Sequence, residues 1–569
     1  MAGTDVLFRR IKPVFAKTMA GKGDQMLCGQ TNVPVEFSLT STKKQRDIFN
    51  GVEVDVIFTG PGGQEWRVPA FWSGGQEFRV RFAAPKPGRY NWLSICSDAQ
   101  DTGLQGQKGL FEAAPYEGAN PLYRSGGLRV AQNKRTFEHA DGTPFFWLAD
   151  TWWMGLCKRL DWPGDFQLLA SDRTAKGFSV IQIIAGLYPD MPAFDERGAN
   201  EAGFPWEKDY ARINPAYFDM ADLRINWLVR SGLMPCIVGC WGYFLPWMGV
   251  EKMKKHWRNL VARYGAYPVV WCLAGEGTMP YYLSKNKEKD GQFQKKGWTE
   301  IGRYVREIDP YRHPITIHPS SSARQTVEDP AVLDFDMLQT GHGDRTSLPN
   351  TVERVSEAYQ TTPVMPVING EVCYEGIGEA CRQEVQRMMF WASILNGAAG
   401  HTYGANGIWQ VNTRDKPFGP SPHGMSWGNT PWEEAFQLPG STNLSMAKQL
   451  LERYRWWQFE PHPEWVEPHW SKENYFAPYA AGISGEVRII FIPLPWGAPG
   501  IKGIEQDIRY HAFLFNPTNG KEQEIGPVIP DKNGNWDMRE LSSATNTTRL
   551  MPIYQDWVLV LERIKETKR

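Results

Sequence analysis

The chain lacks any run of about 18 apolar residues free of charge, so no membrane-spanning helix is expected. It also lacks an excess of either charge. Its 62 Lys and Arg against 63 Asp and Glu leave a formal net charge of −1, without the basic footprint a nucleic-acid partner selects. There are no CxxC pairs. The eight cysteines (Cys28, Cys96, Cys157, Cys236, Cys240, Cys272, Cys373 and Cys381) are scattered, several of them in apolar strand-like runs, and read as reduced core thiols. Cys236 and Cys240 sit in an extended segment that would hold them roughly 13 Å apart, too far to bridge. Neither a zinc site nor a disulfide framework is expected. The first 25 residues carry charges every few positions and lack the continuous apolar core of a secretory signal. The expectation is a soluble protein, either cytoplasmic or secreted with its signal already removed.

What the chain has in abundance is aromatic: 25 Trp, 28 Phe and 21 Tyr, 13% of 569 residues. Flat rings suit sugar faces, and they equally suit β-sandwich cores. At this length about three to four domains are expected. Residues 28–117 alternate short β-rich runs with Gly and Pro, as in VPVEFSLTS, VEVDVIFTGPGG and FRVRFAAPKPGRYNW, the pattern of an antiparallel sandwich. Residues 456–569 repeat it, with FAPYAAGISG, EVRIIFIPLPWG, RYHAFLFNPTNG and DWVLVLERI.

Between them, over 118–455, apolar strand-like runs alternate with amphipathic stretches, the signature of βα repeats. Eight strands are predicted: 144–150, 178–184, 234–240, 269–276, 315–320, 336–342, 364–371 and 400–405. Stretches such as VEKMKKHWRNLVARYG and CRQEVQRMMFWASILNG between them read as helices. The predicted fold is α/β, a (β/α)8 TIM barrel flanked by two small β-sandwich domains. The segment SSSARQTVEDPAVLDF between the fifth and sixth strands is the weakest link, and it leaves an open sheet as the alternative.

In a barrel of this kind, reacting groups project from the carboxyl ends of the strands. Asp150, Trp152 and Trp153 follow the first strand, Gln182 lies in the second, and Trp241 follows the third. Glu276 ends the fourth, His318 the fifth, Gln339 and His342 the sixth, Glu371 the seventh, and His401, Tyr403 and then Trp409 the eighth. Glu276 and Glu371, at strands four and seven, face each other across the barrel mouth. Cleavage of a glycosidic bond needs one acid to protonate the leaving oxygen and one carboxylate to attack or stabilise the anomeric carbon. Two glutamates supply both functions without metal or cofactor, provided that burial and the ionised neighbour raise the pKa of one of them. Asp150 is read either as a sugar ligand or as a helix cap. The histidines could bind hydroxyls or orient a carboxylate, and each tryptophan could stack on a sugar or pack the barrel. Glu375, four residues past Glu371, is expected to be a solvated or supporting acid. A metal-dependent hydrolase is the first rival reading, but such barrels commonly open with His-x-His, and here strand one reads LADTWW. A carbohydrate-binding protein without catalysis is the second, and the glutamate pair argues against it.

The motifs DGTPFFWLADTWW, GFSVIQ, WCLAGEG, PVINGEVCYEGI and GHTYGANGIWQ, spread over residues 141–410, resemble the apiosidase-like glycoside hydrolases, TIM-barrel enzymes acting on plant or microbial glycans. The flanking segments resemble the sandwiches that often precede and follow such barrels. The resemblance implies a carbohydrate substrate, with Glu276 as acid/base and Glu371 as nucleophile of a retaining mechanism. Many relatives carry Asp in a Gly-Gly-Asp pattern where this chain reads Ala274-Gly275-Glu276. Apiose specificity is therefore not carried over, and the longer side chain bears on substrate and stereochemistry.

Overall fold

The computed structural model describes residues 26–44, 46–494, 499–538 and 551–564; the N-terminal segment judged above for a signal lies outside them. Eight parallel strands form its central sheet. They are β1 (Trp147–Trp152), β2 (Val180–Ile184), β3 (Met234–Val238), β4 (Val270–Cys272), β5 (Ile315–Thr316), β6 (Asp336–Gln339), β7 (Val367–Glu371) and β8 (Gly400–Tyr403). Their order is β5-β4-β3-β2-β1-β8-β7-β6, so the first strand pairs with the last and the sheet curls into a nearly closed barrel. The first four strands read as mainly apolar runs because they are buried on both faces; every residue of β1, β2, β3 and β7 is buried.

The sheet is unpaired between β5 and β6, at the segment that looked weakest in the sequence. The connection holds only one helical turn, Ala323–Thr326, and a 3₁₀ turn, Pro330–Val332. In place of a ladder, Asp334 N donates to Ile315 O at 2.8 Å and Thr316 Oγ1 to Phe335 O at 3.0 Å.

Helices that this fold places outside the barrel include α1 (Gly164–Ala175), α2 (Pro215–Arg230), α3 (Val250–Tyr264) and α4 (Lys287–Ile308). After them come α5 (Leu348–Gln360), α6 (Gln383–Leu395) and α7 (Pro439–Leu451). The amphipathic α3 ends at Gly265, whose N–H bonds back to Val261 O. α6 is instead buried all round, including its polar Gln386, Arg387 and Ser393. Every residue from Val385 to Leu395 is buried, and Trp391 stacks on Phe491 of the C-terminal sheet at 6.0 Å.

Before the barrel, a five-stranded and a three-stranded sheet share a core of Val56, Phe58, Val80, Phe82 and Phe111. After it come a six-stranded and a three-stranded sheet around Ile490, Leu514 and Leu559. Buried arginines fasten both to the barrel. Arg81 donates to Asp222 at 2.5 Å and to Arg263 O at 2.8 Å, and Arg387 grips Asp556 through two bonds of 2.7 Å. Removing one partner of such a buried pair costs about 3–5 kcal/mol, which makes these contacts fixed points between sheets and barrel. All eight cysteines are free and only Cys28 is exposed. Among the described residues no helix is long and apolar enough to cross a membrane.

Candidate active site

Strand alternation decides which residues reach the barrel mouth, because successive side chains point to opposite faces. In β1, Asp150 and Trp152 point outward to α1. Asp150 is fully buried against Arg173 at 2.6 Å and accepts the Trp152 indole N–H at 2.7 Å, while Trp152 packs edge-on against Phe166. In β8 the outward pair is His401, against Phe390 of α6, and Tyr403, which donates to Glu375 at 2.6 Å. His401 is fully buried and its ring nitrogens have no hydrogen-bond partner among the described residues; burial pushes its pKa down to about 3. The expectation that Asp150, Trp152, His401 and Tyr403 bind sugar is therefore corrected, since all four face the helix layer. Gln182 points inward, with its amide on Gly370 O at 3.0 Å, but it is fully buried and does not line the cavity. Glu375 is not solvated. It is buried, accepts from Tyr403 and the Gly440 N–H, and burial raises its pKa.

Glu371 escapes the alternation through a bulge. Leu338 pairs with Asn369, but the next residue, Gln339, pairs with Glu371, so β7 carries one extra residue at Gly370. Asn369 consequently faces Ser393 of α6, and Glu371, two residues on, faces the barrel mouth. A Cβ at Gly370 would come within 2.4 Å of Met337, so the Gly of the Asn-Gly-Glu sequence permits this close approach. Glu276 is placed by its own glycine: a Cβ on Gly275 would lie 2.1 Å from the Trp241 ring. Glu276 itself sits in the left-handed region at φ +41°, a strained backbone of the kind that clusters at functional sites.

The two carboxyls meet at one amide. Gln339 Nε2 donates to Glu276 Oε1 at 3.1 Å and to Glu371 Oε1 at 2.9 Å, so these oxygens are no more than about 6 Å apart. Otherwise their surroundings differ. Glu371 also contacts His342 Nε2 at 2.8 Å and His318 Nε2 at 3.2 Å, and accepts the Tyr374 hydroxyl at 2.6 Å, which in turn accepts from the Trp153 indole at 2.8 Å. Burial alone would raise the Glu371 pKa, but the hydrogen bonds and charges of His318 and His342 outweigh it and hold this carboxyl well below the usual range. His342 responds in the opposite sense: burial lowers its pKa, and Glu371 more than restores it. Among the described residues, Glu276 has only the shared amide donor. Burial and then repulsion from Glu371 push its pKa up to about 7.

Around this pair lies a cavity of about 220 Å³ lined by Trp153, Trp241, Gln339, His342, Tyr374 and Trp409 among others. Thus the structure brings Trp153, Trp241, His318, Gln339, His342 and Trp409 together with both glutamates. Residues that the sequence reading passed over also line it: Asp190, Tyr282, Tyr374, His423 and Trp427. Tyr374 was visible in the quoted Val-Cys-Tyr-Glu run, whereas the other four come from long loops without periodicity. Among the described residues no three His, Cys, Asp or Glu side chains are grouped to hold a metal ion.

A model of the family described as "Apiosidase-like, catalytic domain" matches residues 131–458, and one of a domain of unknown function, DUF5060, matches residues 32–97. No curated protein matches the chain. Among solved structures, a glycoside hydrolase is similar at 22% identity and TM-score 0.63, over 78% of this chain and 98% of that one. A glycoside hydrolase family 5 protein from Bacteroides vulgatus is similar at 21% identity and TM-score 0.63, over 78% and 95%. A second Bacteroides vulgatus chain, assigned as a glycoside hydrolase, is similar at 16% identity and TM-score 0.68, over 94% and 100%. At these identities the likeness to solved structures is one of fold.

Proposed function

Because this chain belongs to the family of apiosidase-like catalytic domains and is a glycosidase, we propose that it hydrolyses a glycosidic bond of a plant or microbial oligo- or polysaccharide by double displacement, with retention. Glu371 is the nucleophile and Glu276 the acid/base. The observation that carries this reading is the asymmetry of the pair: one carboxyl surrounded by Gln339, His342, His318 and Tyr374, the other left with a shared amide and a pKa near 7. A nucleophile must be ionised, and an acid must keep its proton at working pH.

In the first step a Glu371 oxygen bonds the anomeric carbon as the bond to the leaving oxygen breaks, and Glu276 passes its proton to that oxygen. In the second, water attacks the same carbon, Glu276 takes a proton from it, and the Glu371 carboxylate is released. Retaining pairs stand about 5–5.5 Å apart and inverting pairs about 6.5–9.5 Å. The shared Gln339 amide, bonded at 3.1 and 2.9 Å, supports the shorter spacing. Trp153, Trp241 and Trp409 offer faces for stacking on the sugar, and His342 and Gln339 offer polar contacts to its hydroxyls. The division into 28–117, 118–455 and 456–569 assigns both sandwiches to supporting a catalytic barrel.

Glu371→Gln tests the assignment. It keeps the volume and the fold but removes the nucleophile, so turnover should fall by about 10⁴-fold or more with an unchanged melting curve. A variant retaining a tenth of wild-type turnover would overturn it.

A further inference from the structure

One wall of the cavity is built by three loops that interlock at a single carboxylate. Asp190, in the loop after β2, accepts the hydroxyl of Tyr282, from the loop after β4, at 2.5 Å. It also accepts the indole N–H of Trp427, from the loop after β8, at 3.2 Å. The Tyr282 ring stacks on His423, from that same last loop, at 4.6 Å and 17°. All four side chains line the cavity that holds Glu276 and Glu371. Asp190 is only 6% exposed and sits in the left-handed region at φ +56°. Among the described residues, it forms no ion pair with Lys or Arg.

Two features of this wall bear on the substrate. A carboxylate has about four acceptor positions, and Tyr282 and Trp427 each occupy one, on different oxygens. Each Asp190 oxygen therefore keeps an acceptor position, spaced for two neighbouring ring hydroxyls. The interlocked loops also wall one side of the cavity, whose volume of about 220 Å³ lies below the roughly 300–1,000 Å³ of pockets that hold drug-sized ligands. That is room for one sugar ring rather than a run of them.

We propose that the enzyme removes single terminal sugars from a glycan, and that Asp190 is its specificity-determining residue, holding the terminal sugar through two adjacent hydroxyls. The proposal rests on the reading of Glu276 and Glu371 as the reacting pair. Burial raises the Asp190 pKa and the Tyr282 and Trp427 donors oppose that rise, which fits a carboxylate placed to accept from neutral hydroxyls rather than to bind a cation.

Plant and bacterial oligosaccharides labelled at the reducing end with 2-aminobenzamide provide one test, with early products resolved by mass spectrometry. Labelled products should shorten by one sugar at a time, with free monosaccharide as the early unlabelled product; early unlabelled di- or trisaccharides would overturn the proposal. The second test uses 4-nitrophenyl glycosides and their monodeoxy analogues. Asp190→Asn and Asp190→Ala should lower kcat/KM by roughly 10²–10³-fold, since hydrogen bonds to a charged acceptor are lost. Removing a contacted hydroxyl from the substrate should cost the wild type about 10–100-fold but Asp190→Ala less than about threefold, a non-additivity that a merely structural residue would not produce. Equal losses in both proteins would overturn the assignment. Tyr282→Phe, which leaves the ring stacked on His423, should give an intermediate loss and keeps the test open if the Asp190 variants fold poorly. Glu371→Gln separates the two readings: internal fragments from wild type with a dead Glu371→Gln would sink only the terminal-sugar proposal, whereas an active Glu371→Gln would sink the reacting pair.

Discussion

If the charge of Glu371 helps to keep Glu276 protonated, neutralising it by Glu371→Gln should release the Glu276 proton at lower pH. The nearest oxygens lie within about 6 Å, through the amide bonded at 3.1 and 2.9 Å. Two unit charges at about 6 Å interact by about 2.8 kcal/mol at an effective dielectric of about 20, equivalent to about two pH units. Partial exposure of Glu276 reduces this, and His342, whose pKa Glu371 raises, gives up positive charge in the same variant. The expected fall is about one to two units, from a starting point near 7 to about 5–6. The assay is a pH titration of protein labelled with ¹³C at the glutamate side-chain carboxyls, with Glu276→Gln identifying the resonance. A midpoint that moves by less than half a unit, or moves up, would refute the coupling and with it the electrostatic basis for the assigned roles.

Other predictions follow from the same geometry. The wild-type kcat/KM should fall as pH rises through about 7, where Glu276 loses the proton it must donate. It should persist far into acid, because the folded-state pKa of Glu371 is depressed and its charge is lost only well below the usual carboxylate range. A profile that instead rises through 7 would contradict the assignment. Glu276→Gln should slow natural glycosides by about 10²–10⁴-fold but activated aryl glycosides far less, and azide should restore the latter; equal losses on both would remove Glu276 as the acid. Asp150→Asn should lower the melting temperature by weakening the buried pair with Arg173, worth about 3–5 kcal/mol if fully broken, while leaving KM within about twofold. A selective rise in KM at constant stability would restore Asp150 as a sugar ligand.

The barrel was legible because most of its strands lie in apolar runs with helix-period stretches and breakers between them; the β5–β6 gap was legible as a Ser- and Pro-containing stretch without a helical period. Glu276 and Glu371 were legible as acids at opposite strand ends. What was not legible was which way each strand-end side chain points. Asp150, Trp152, His401 and Tyr403 lie close in sequence to residues that do line the cavity, yet a two-residue period turns them outward. The bulge at Gly370 breaks that period, and without it Glu371 would share the outward face of Asn369. Asp190, Tyr282, His423 and Trp427 were hidden for a different reason: they come from three loops far apart in sequence and are joined only by tertiary hydrogen bonds and stacking.

In the proposed double displacement, two carboxyls serve one anomeric carbon from opposite sides. Proton NMR of the first sugar released, recorded before mutarotation, reads this directly. The same anomer as the substrate is the predicted result, and the opposite anomer would contradict a covalent intermediate on Glu371.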